Sequence, residues 1–301
     1  MDATFALIGL GEAGVAFAGG TVTRAYDCKT DAAETRIAKL DDFARAGVMA
    51  CATAAEALAG AGAVLSLVTA DQALVAAESG ASLIEPGAFW FDMNSVAPDT
   101  KRAAAGAIEA AGGRYVDVAV MSPVHPAGLD VPLLISGPHA YIGATMLSAF
   151  GFTNVTVVAG PVGAASSIKM IRSVMVKGLE ALTTECFLAA DQAGVADEIL
   201  SSLNVSWPGT DWAEKADYNL DRMMIHGLRR AAEMEEVVKT LDALGIGSAM
   251  TRATVERQRA IGALGLVPPH GLTAKLAALC PLVSSSERRK LVISDDGAEA
   301  A

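Results

Sequence analysis

At 301 residues the chain is long enough for about two domains. With 52% hydrophobic and 19% charged residues it has material for a large core, which excludes intrinsic disorder for the bulk of it. Lys plus Arg number 23 against 34 Asp plus Glu, a formal charge of −11, and such a deficit argues against nucleic-acid partners and against an anionic membrane surface.

In chain order, apolar runs with strand character fall at 4–9, 22–27, 47–51, 63–68, 88–92, 115–120, 131–136 and 154–158. Ala- and Glu-rich stretches of helical spacing separate the earlier ones, beginning with a helix that starts at 12–20. Strands alternating with helices predict crossover units and a mostly parallel sheet covered on both faces. Residues 131–168 carry no Asp, Glu, Lys or Arg, so a membrane span has to be tested. Pro132, Pro138, Pro161, several glycines and the polar His139, Asn154 and Thr156 interrupt that run, which therefore reads as strands, turns and a short helix. No basic residue precedes Arg24, so the N-terminus does not read as a signal peptide.

The pattern changes near Gly160. Helices are predicted at 164–194, with Gly194 as the stop, and at 195–204, 211–217, 219–243, 247–262 and 271–279. The expected organisation is an α/β domain at 1–163, an all-α domain at 164–281, and a small acidic tail at 282–301. No repeat of solenoid length is evident. Cys28, Cys51, Cys186 and Cys280 are scattered without a CxxC pair, so neither a disulfide framework nor a zinc site is expected, and the thiols read as reduced in a cytoplasmic protein. His125, His139, His226 and His270 show no metal-ligand spacing, and no metal is expected.

The first chemical signal is Gly9-Leu10-Gly11-Glu12-Ala13-Gly14, directly after a strand and opening a helix. In a dinucleotide-binding turn the first glycine permits the bend, the second lets backbone approach a pyrophosphate, and the third lets helix and strand pack closely. Asp27 ends the second strand, where a carboxylate can accept from both ribose hydroxyls and repel a 2′-phosphate; this favours NAD over NADP. Arg24 and Lys29 lie nearby and soften that preference, and Asp27 could instead only cap a turn. Val68 and Thr69 end another strand and are expected to line the cofactor cleft.

Lys169 is the first charge after the uncharged run and sits on a helix of small residues. A buried ammonium is disfavoured, so its pKa is expected to fall, making the amine a usable proton acceptor near neutral pH. Ser166 at i−3 and Ser173 at i+4 share its face. The alternative is a lysine at the domain seam reaching for water. His226 and Arg230, at i and i+4, could hold an anionic substrate group, or form a solvated face answered by Glu233, Glu235 and Glu236.

Four segments, in order, resemble motifs of the β-hydroxyacid dehydrogenase family, which includes 6-phosphogluconate and 3-hydroxyisobutyrate dehydrogenases. GLGEAG at 9–14 looks like its GxGxxG, and DMNSVAP at 92–98 is similar to its DxSTxxP. DVAVMSPVHPAG at 117–128, followed by LLISG at 133–137, resembles its Gly-rich substrate loop. GAASSIKMIRS at 163–173 resembles GxGxxxKxxxN, with Lys169 at the lysine. The resemblance implies a Rossmann-type N-terminal domain, a helical second domain, hydride transfer between NAD or NADP and the alcohol of a 3-hydroxyacid, and Lys169 as general acid–base. It also implies substrate contacts from Asn94, Ser95, Ser122, His125 and Ser173, and a homodimer; decarboxylation of a keto product is allowed by it.

Three departures weaken the substrate assignment: Ser173 replaces an Asn, Asn94-Ser95 replaces Ser-Thr, and Met121-Ser122-Pro123 replaces Ser-Gly-Gly. Pro123 has no N–H for a carboxylate, and Asn94-Ser95 could simply cap the helix near Pro98. The rivals are an imine or carbonyl reductase on the same fold, and a non-catalytic dinucleotide sensor.

Overall fold

The structure, a computed structural model, describes residues 4–18 and 22–280. It divides into two compact units, 1–171 and 172–301, which part within one long helix.

The first unit alternates β1 (Phe5–Ile8), α1 (Glu12–Phe17), β2 (Val22–Tyr26), α2 (Ala33–Ala46), β3 (Met49–Ala50), α3 (Ala54–Leu58), β4 (Ala63–Ser66), α4 (Ala73–Ala81), β5 (Phe89–Asp92), α5 (Pro98–Ala110) and β6 (Arg114–Val120). It continues with β7 (Leu133–Ser136), α6 (Ala140–Phe150), β8 (Val155–Val157) and the start of α7 (Ala164–Ala193). The strands form one eight-stranded sheet in the order β3-β2-β1-β4-β5-β6-β7-β8. All neighbours are parallel except β6 and β7, which run antiparallel. Each predicted strand run overlaps an observed strand, and the charge-free run 131–168 resolves into β7, α6, β8 and the first turn of α7.

Alternate residues on each strand face opposite sides of the sheet, and both sides are buried. Phe5, Leu7, Leu65, Phe91, Val116, Val118 and Ile135 join Leu147 and Phe150 of α6 in one core. Ala6, Ile8, Val64, Trp90 and Tyr115 join Leu58 of α3, Ala77 of α4 and Ile108 of α5 in the other. The reversal of strand order falls between β1 and β4, where open α/β sheets hold ligands beyond the strand C-termini.

In the second unit α7 ends at Gly194, whose φ of +72° suits a residue without Cβ. It is followed by α8 (Ala196–Ser206), α9 (Trp212–Ala243), α10 (Ala249–Gly262) and α11 (272–280). The core gathers Phe187, Leu188, Leu220, Met223, Met224, Ile261, Leu276 and Leu279. One expectation is corrected: the helices placed at 211–217 and 219–243 are one continuous helix. Asp211 caps it through the N–H groups of Ala213 and Glu214, and the buried Ala216, Asn219, Leu220 and Met223 keep helical spacing straight past Tyr218. α9 and α10 cross backbone to backbone, since a Cβ on Gly227 would lie 2.4 Å from the Gln258 carbonyl oxygen. No helix of the described residues is long and apolar enough to cross a membrane. The expected tail at 282–301 lies outside the described residues.

Candidate active site

The turn from β1 into α1 is built by close contacts. Gly9 has φ +92°, and a Cβ there would sit 2.4 Å from the Leu67 carbonyl oxygen at the end of β4. A Cβ on Gly14 would sit 2.6 Å from the Gly9 carbonyl oxygen. Gly11 differs: its backbone is extended, and among the described residues nothing lies within 4 Å of where its Cβ would be. The first and third glycines are therefore required by packing, while the second leaves open space against bare backbone, a fit for a pyrophosphate. Leu10 and Gly14 are buried in this turn, Gly11 and Glu12 face outward, and Ala13 is half-buried.

Asp27 stands at the end of β2 and is 8% exposed. Its Oδ2 accepts the Leu10 N–H at 2.8 Å and its Oδ1 accepts the Lys29 N–H at 2.9 Å. A carboxylate offers about four acceptor sites, so two contacts leave room for ribose hydroxyls. Sequence reasoning missed Lys39, a buried lysine of α2 whose Nζ donates to the Leu10 carbonyl at 2.8 Å and lies 3.9 Å from Asp27. The turn is thus held through both its N–H and its C=O. The signal available was a lysine on the face of α2 that also buries Phe43. Across the topological switch, Val68 is half-buried and Thr69 exposed.

Lys169 and Ser95 meet directly: Lys169 Nζ donates to Ser95 Oγ at 2.5 Å, and both residues are half-buried. Asn94 lies beneath them, 4% exposed. Its Nδ2 donates to Asp92 Oδ1 at 2.8 Å and to Ser66 Oγ at 3.1 Å, and its Oδ1 accepts the Val68 N–H at 2.7 Å. Both amide hydrogens bond inside the protein, so Asn94 is a strut joining β4 to the loop after β5. The residue before α5 is Ala97, which has no capping side chain. Ser166, expected to share the face of Lys169, instead turns its hydroxyl to Asp117 Oδ2 at 3.2 Å and to the Gly163 carbonyl at 3.2 Å.

Asp117 itself was not singled out from sequence, nor were Asp92, Tyr115 and Lys101. The available signals were an acidic residue inside each apolar strand, and a lysine in register with Ala104, Ala105 and Ile108 on the buried face of α5. Tyr115 donates its hydroxyl to Asp92 Oδ2 at 2.6 Å. Burial, with the Asp92 charge adding to it, holds that phenol well above its ordinary value of 10.

Ser122 and His125 are exposed in the loop after β6, where Ser122 Oγ donates to the Pro123 carbonyl at 3.3 Å. Ser173, His226 and Arg230 belong to the second unit. Ser173 is buried and accepts from Lys177 Nζ at 3.3 Å. His226 is half-buried. Arg230 is neither an open cation nor part of a solvated face: it is buried, with Nε 2.9 Å from Glu180 Oε2 and a second bond from Nη2 to Glu180 Oε1. Gln258 donates to the same carboxylate at 2.9 Å. A guanidinium committed to a buried carboxylate in this two-point geometry is a core ion pair of the helical unit.

Residues 4–140 match the model of the NAD binding domain of 6-phosphogluconate dehydrogenase, and residues 190–261 match a domain of unknown function, DUF1932. A conserved hypothetical protein from Sinorhizobium meliloti is 39% identical, with 93% of this chain and 97% of that chain aligned and a TM-score of 0.73. A second conserved protein of unknown function, described as structurally similar to 3-hydroxyacid dehydrogenases, is 27% identical over 88% of this chain and 100% of its own, with a TM-score of 0.65. The 3-hydroxyisobutyrate dehydrogenase of Mycobacterium tuberculosis shares the fold at 17% identity, with a TM-score of 0.70 over 93% of this chain and 99% of that one.

Proposed function

The chain belongs to the β-hydroxyacid dehydrogenase family, the group of 6-phosphogluconate and 3-hydroxyisobutyrate dehydrogenases, and from that premise we propose that it oxidises the alcohol of a 3-hydroxyacid-type substrate with Lys169 as general acid–base. The observation that carries this reading is the Lys169–Ser95 contact of 2.5 Å, because it unites two separate family motifs at one point. A nicotinamide dinucleotide, when bound, supplies the hydride chemistry. Gly9, Gly11 and Gly14 shape the turn against which its pyrophosphate would lie, and Leu10, Glu12 and Ala13 complete that turn. Asp27 would accept from the ribose, which favours NAD over NADP; Val68 and Thr69 would border the same cleft.

The neutral Lys169 amine takes the proton of the substrate hydroxyl as the carbon–hydrogen bond breaks. In the reverse direction the ammonium polarises the carbonyl and returns the proton. Ser95 Oγ orients the amine and offers its own hydrogen to substrate oxygen, while Asn94 fixes the backbone of Ser95. Ser122 and His125, exposed on their loop, would add hydrogen bonds to the substrate. Retention of Lys169 favours an alcohol over the imine of a reductase, and a sensor would have no use for an amine held against a serine. The family premise also implies a homodimer.

The test is a dinucleotide-linked screen of 3-hydroxyacids, phosphorylated ones included, run with both NAD and NADP. Lys169→Ala is expected to lower kcat by about 10²–10⁴, the usual span of a general acid–base, while dinucleotide affinity by fluorescence titration stays put. Equal losses in both measurements would remove Lys169 from the chemistry.

A further inference from the structure

A row of polar residues crosses the sheet beneath the site. Ser66 of β4, Asp92 of β5, Asp117 of β6 and Ser136 of β7 are successive register partners, so they share one face, and none is more than 1% exposed. Lys101 rises to this row from α5, with no exposed surface of its own. Its Nζ lies 2.9 Å from Asp92 Oδ1, 2.6 Å from the Asp92 carbonyl, 3.4 Å from the Val118 carbonyl and 3.6 Å from Asp117 Oδ1.

The two carboxylates it joins have different tasks. Asp92 Oδ1 accepts the N–H of Asn94 at 3.0 Å and its Nδ2 at 2.8 Å, and so sets the segment that ends in Ser95. Asp117 Oδ2 accepts from Ser136 Oγ at 3.0 Å, Gly163 N–H at 3.0 Å, Ser166 N–H at 3.1 Å and Ser166 Oγ at 3.2 Å. Two of these donors are backbone N–H groups at the start of α7, the helix that carries Lys169. One buried ammonium therefore ties together the two segments that present the Lys169–Ser95 pair. Buried charge is a costly way to hold a sheet, and apolar residues of the same volume commonly do so at least as well. Its directional bonds, however, define the separation of two backbone segments, which packing alone leaves looser.

We propose that Lys101 is a positioning residue for the Lys169–Ser95 pair, setting their separation through Asp92 and Asp117; this rests on Lys169 being the acid–base. Two carboxylates and one ammonium carry a net charge of −1. The variant Lys101→Met with Asp92→Asn keeps that net charge and the Asp117 anchor of α7 while removing the ammonium. Asp92→Asn alone, which is one unit more positive, is the reference that separates loss of the Asp92 charge from loss of the ammonium.

The readout needs no substrate: modification of Lys169 by trinitrobenzenesulfonate, followed by peptide mass spectrometry against the exposed Lys239 in the same sample. Release from Ser95 is expected to speed modification of Lys169 about fivefold over the reference, the factor one hydrogen bond is worth, with the Lys239 rate unchanged. A merely structural lysine would lower Tm and leave the ratio alone, so an unchanged ratio in the folded double variant overturns the proposal. Should that variant not fold, Lys101→Gln, whose shorter side chain cannot span Asp92 and Asp117, is compared with wild type, and an unchanged ratio there overturns the proposal. Failure of the functional reading is separate: turnover that survives Lys169→Ala defeats the acid–base role, whereas an unchanged labelling ratio beside a dead Lys169→Ala enzyme defeats Lys101 alone.

Discussion

Tyr115 shows how a single residue in the buried row bears on stability. Its hydroxyl is the donor to Asp92 Oδ2, and its ring is wholly buried. Tyr115→Phe would strand that oxygen, at a cost of about 1–3 kcal/mol in urea unfolding at neutral pH. The folded protein holds the phenol proton more tightly than the unfolded chain does, because the pKa is raised on folding. The stabilisation is therefore complete below the unfolded value near 10 and is lost as pH climbs beyond it, where the unfolded chain ionises first. The stability gap between wild type and Tyr115→Phe should narrow above about pH 10; a gap that widened there would contradict the assignment. Residue identity was only partly informative at this scale. Lys169 and Ser95 stood out because they match motifs and sit at the ends of apolar runs. Lys101 and Lys39 did not, since each is one charge among several on its helix, and Asp117 did not, since it is one polar letter in an apolar strand; the partners of all three lie largely on other elements.

Among elements, the β1–turn–α1 unit separates two roles that three glycines of one motif conceal. Gly11→Ala meets open space and a backbone conformation any residue accepts, so the melting temperature should hardly move. The added methyl would occupy the surface offered to pyrophosphate, and dinucleotide affinity should fall at least tenfold, about 1.4 kcal/mol. Gly14→Ala meets the Gly9 carbonyl at 2.6 Å and should lower Tm first, affinity following only from disturbance of the turn. Calorimetry with fluorescence titration on both variants checks the contrast; equal Tm losses would show that Gly11 is also a packing residue. The elements themselves were largely legible, because strand and helix periods are written in local spacing. The break expected at Tyr218 was not real: an exposed aromatic interrupts an apolar count without interrupting a helix, and Lys215 simply lies over its ring.

For the whole molecule, the helical unit leaves large apolar side chains in the open. Met175 and Leu182 of α7 are 63% and 58% exposed, and Ile225 and Leu228 of α9 are 54% and 56% exposed. Such surface on long helices is what a self-complementary interface would cover. Light scattering is expected to give the mass of a dimer, and Ile225→Glu with Leu228→Glu is expected to give a monomer; a monomeric wild type would remove this part of the reading. Arg230 belongs to the same unit's interior instead, where Glu180 and Gln258 absorb it.

Local order along the chain was enough to expect an α/β half followed by a helical half and the Gly-rich turn, which depend on spacing between near neighbours. Lys169 was legible only through its resemblance to a family motif. Only the tertiary structure decided what lies under the site: that Asp27 and Lys39 grip the turn, that Asn94 and Ser166 face inward, and that Lys101 joins Asp92 to Asp117. Those contacts are set by strand register and helix placement, between residues far apart in the chain, and a low-dielectric interior gives them a weight that no count of residues reveals.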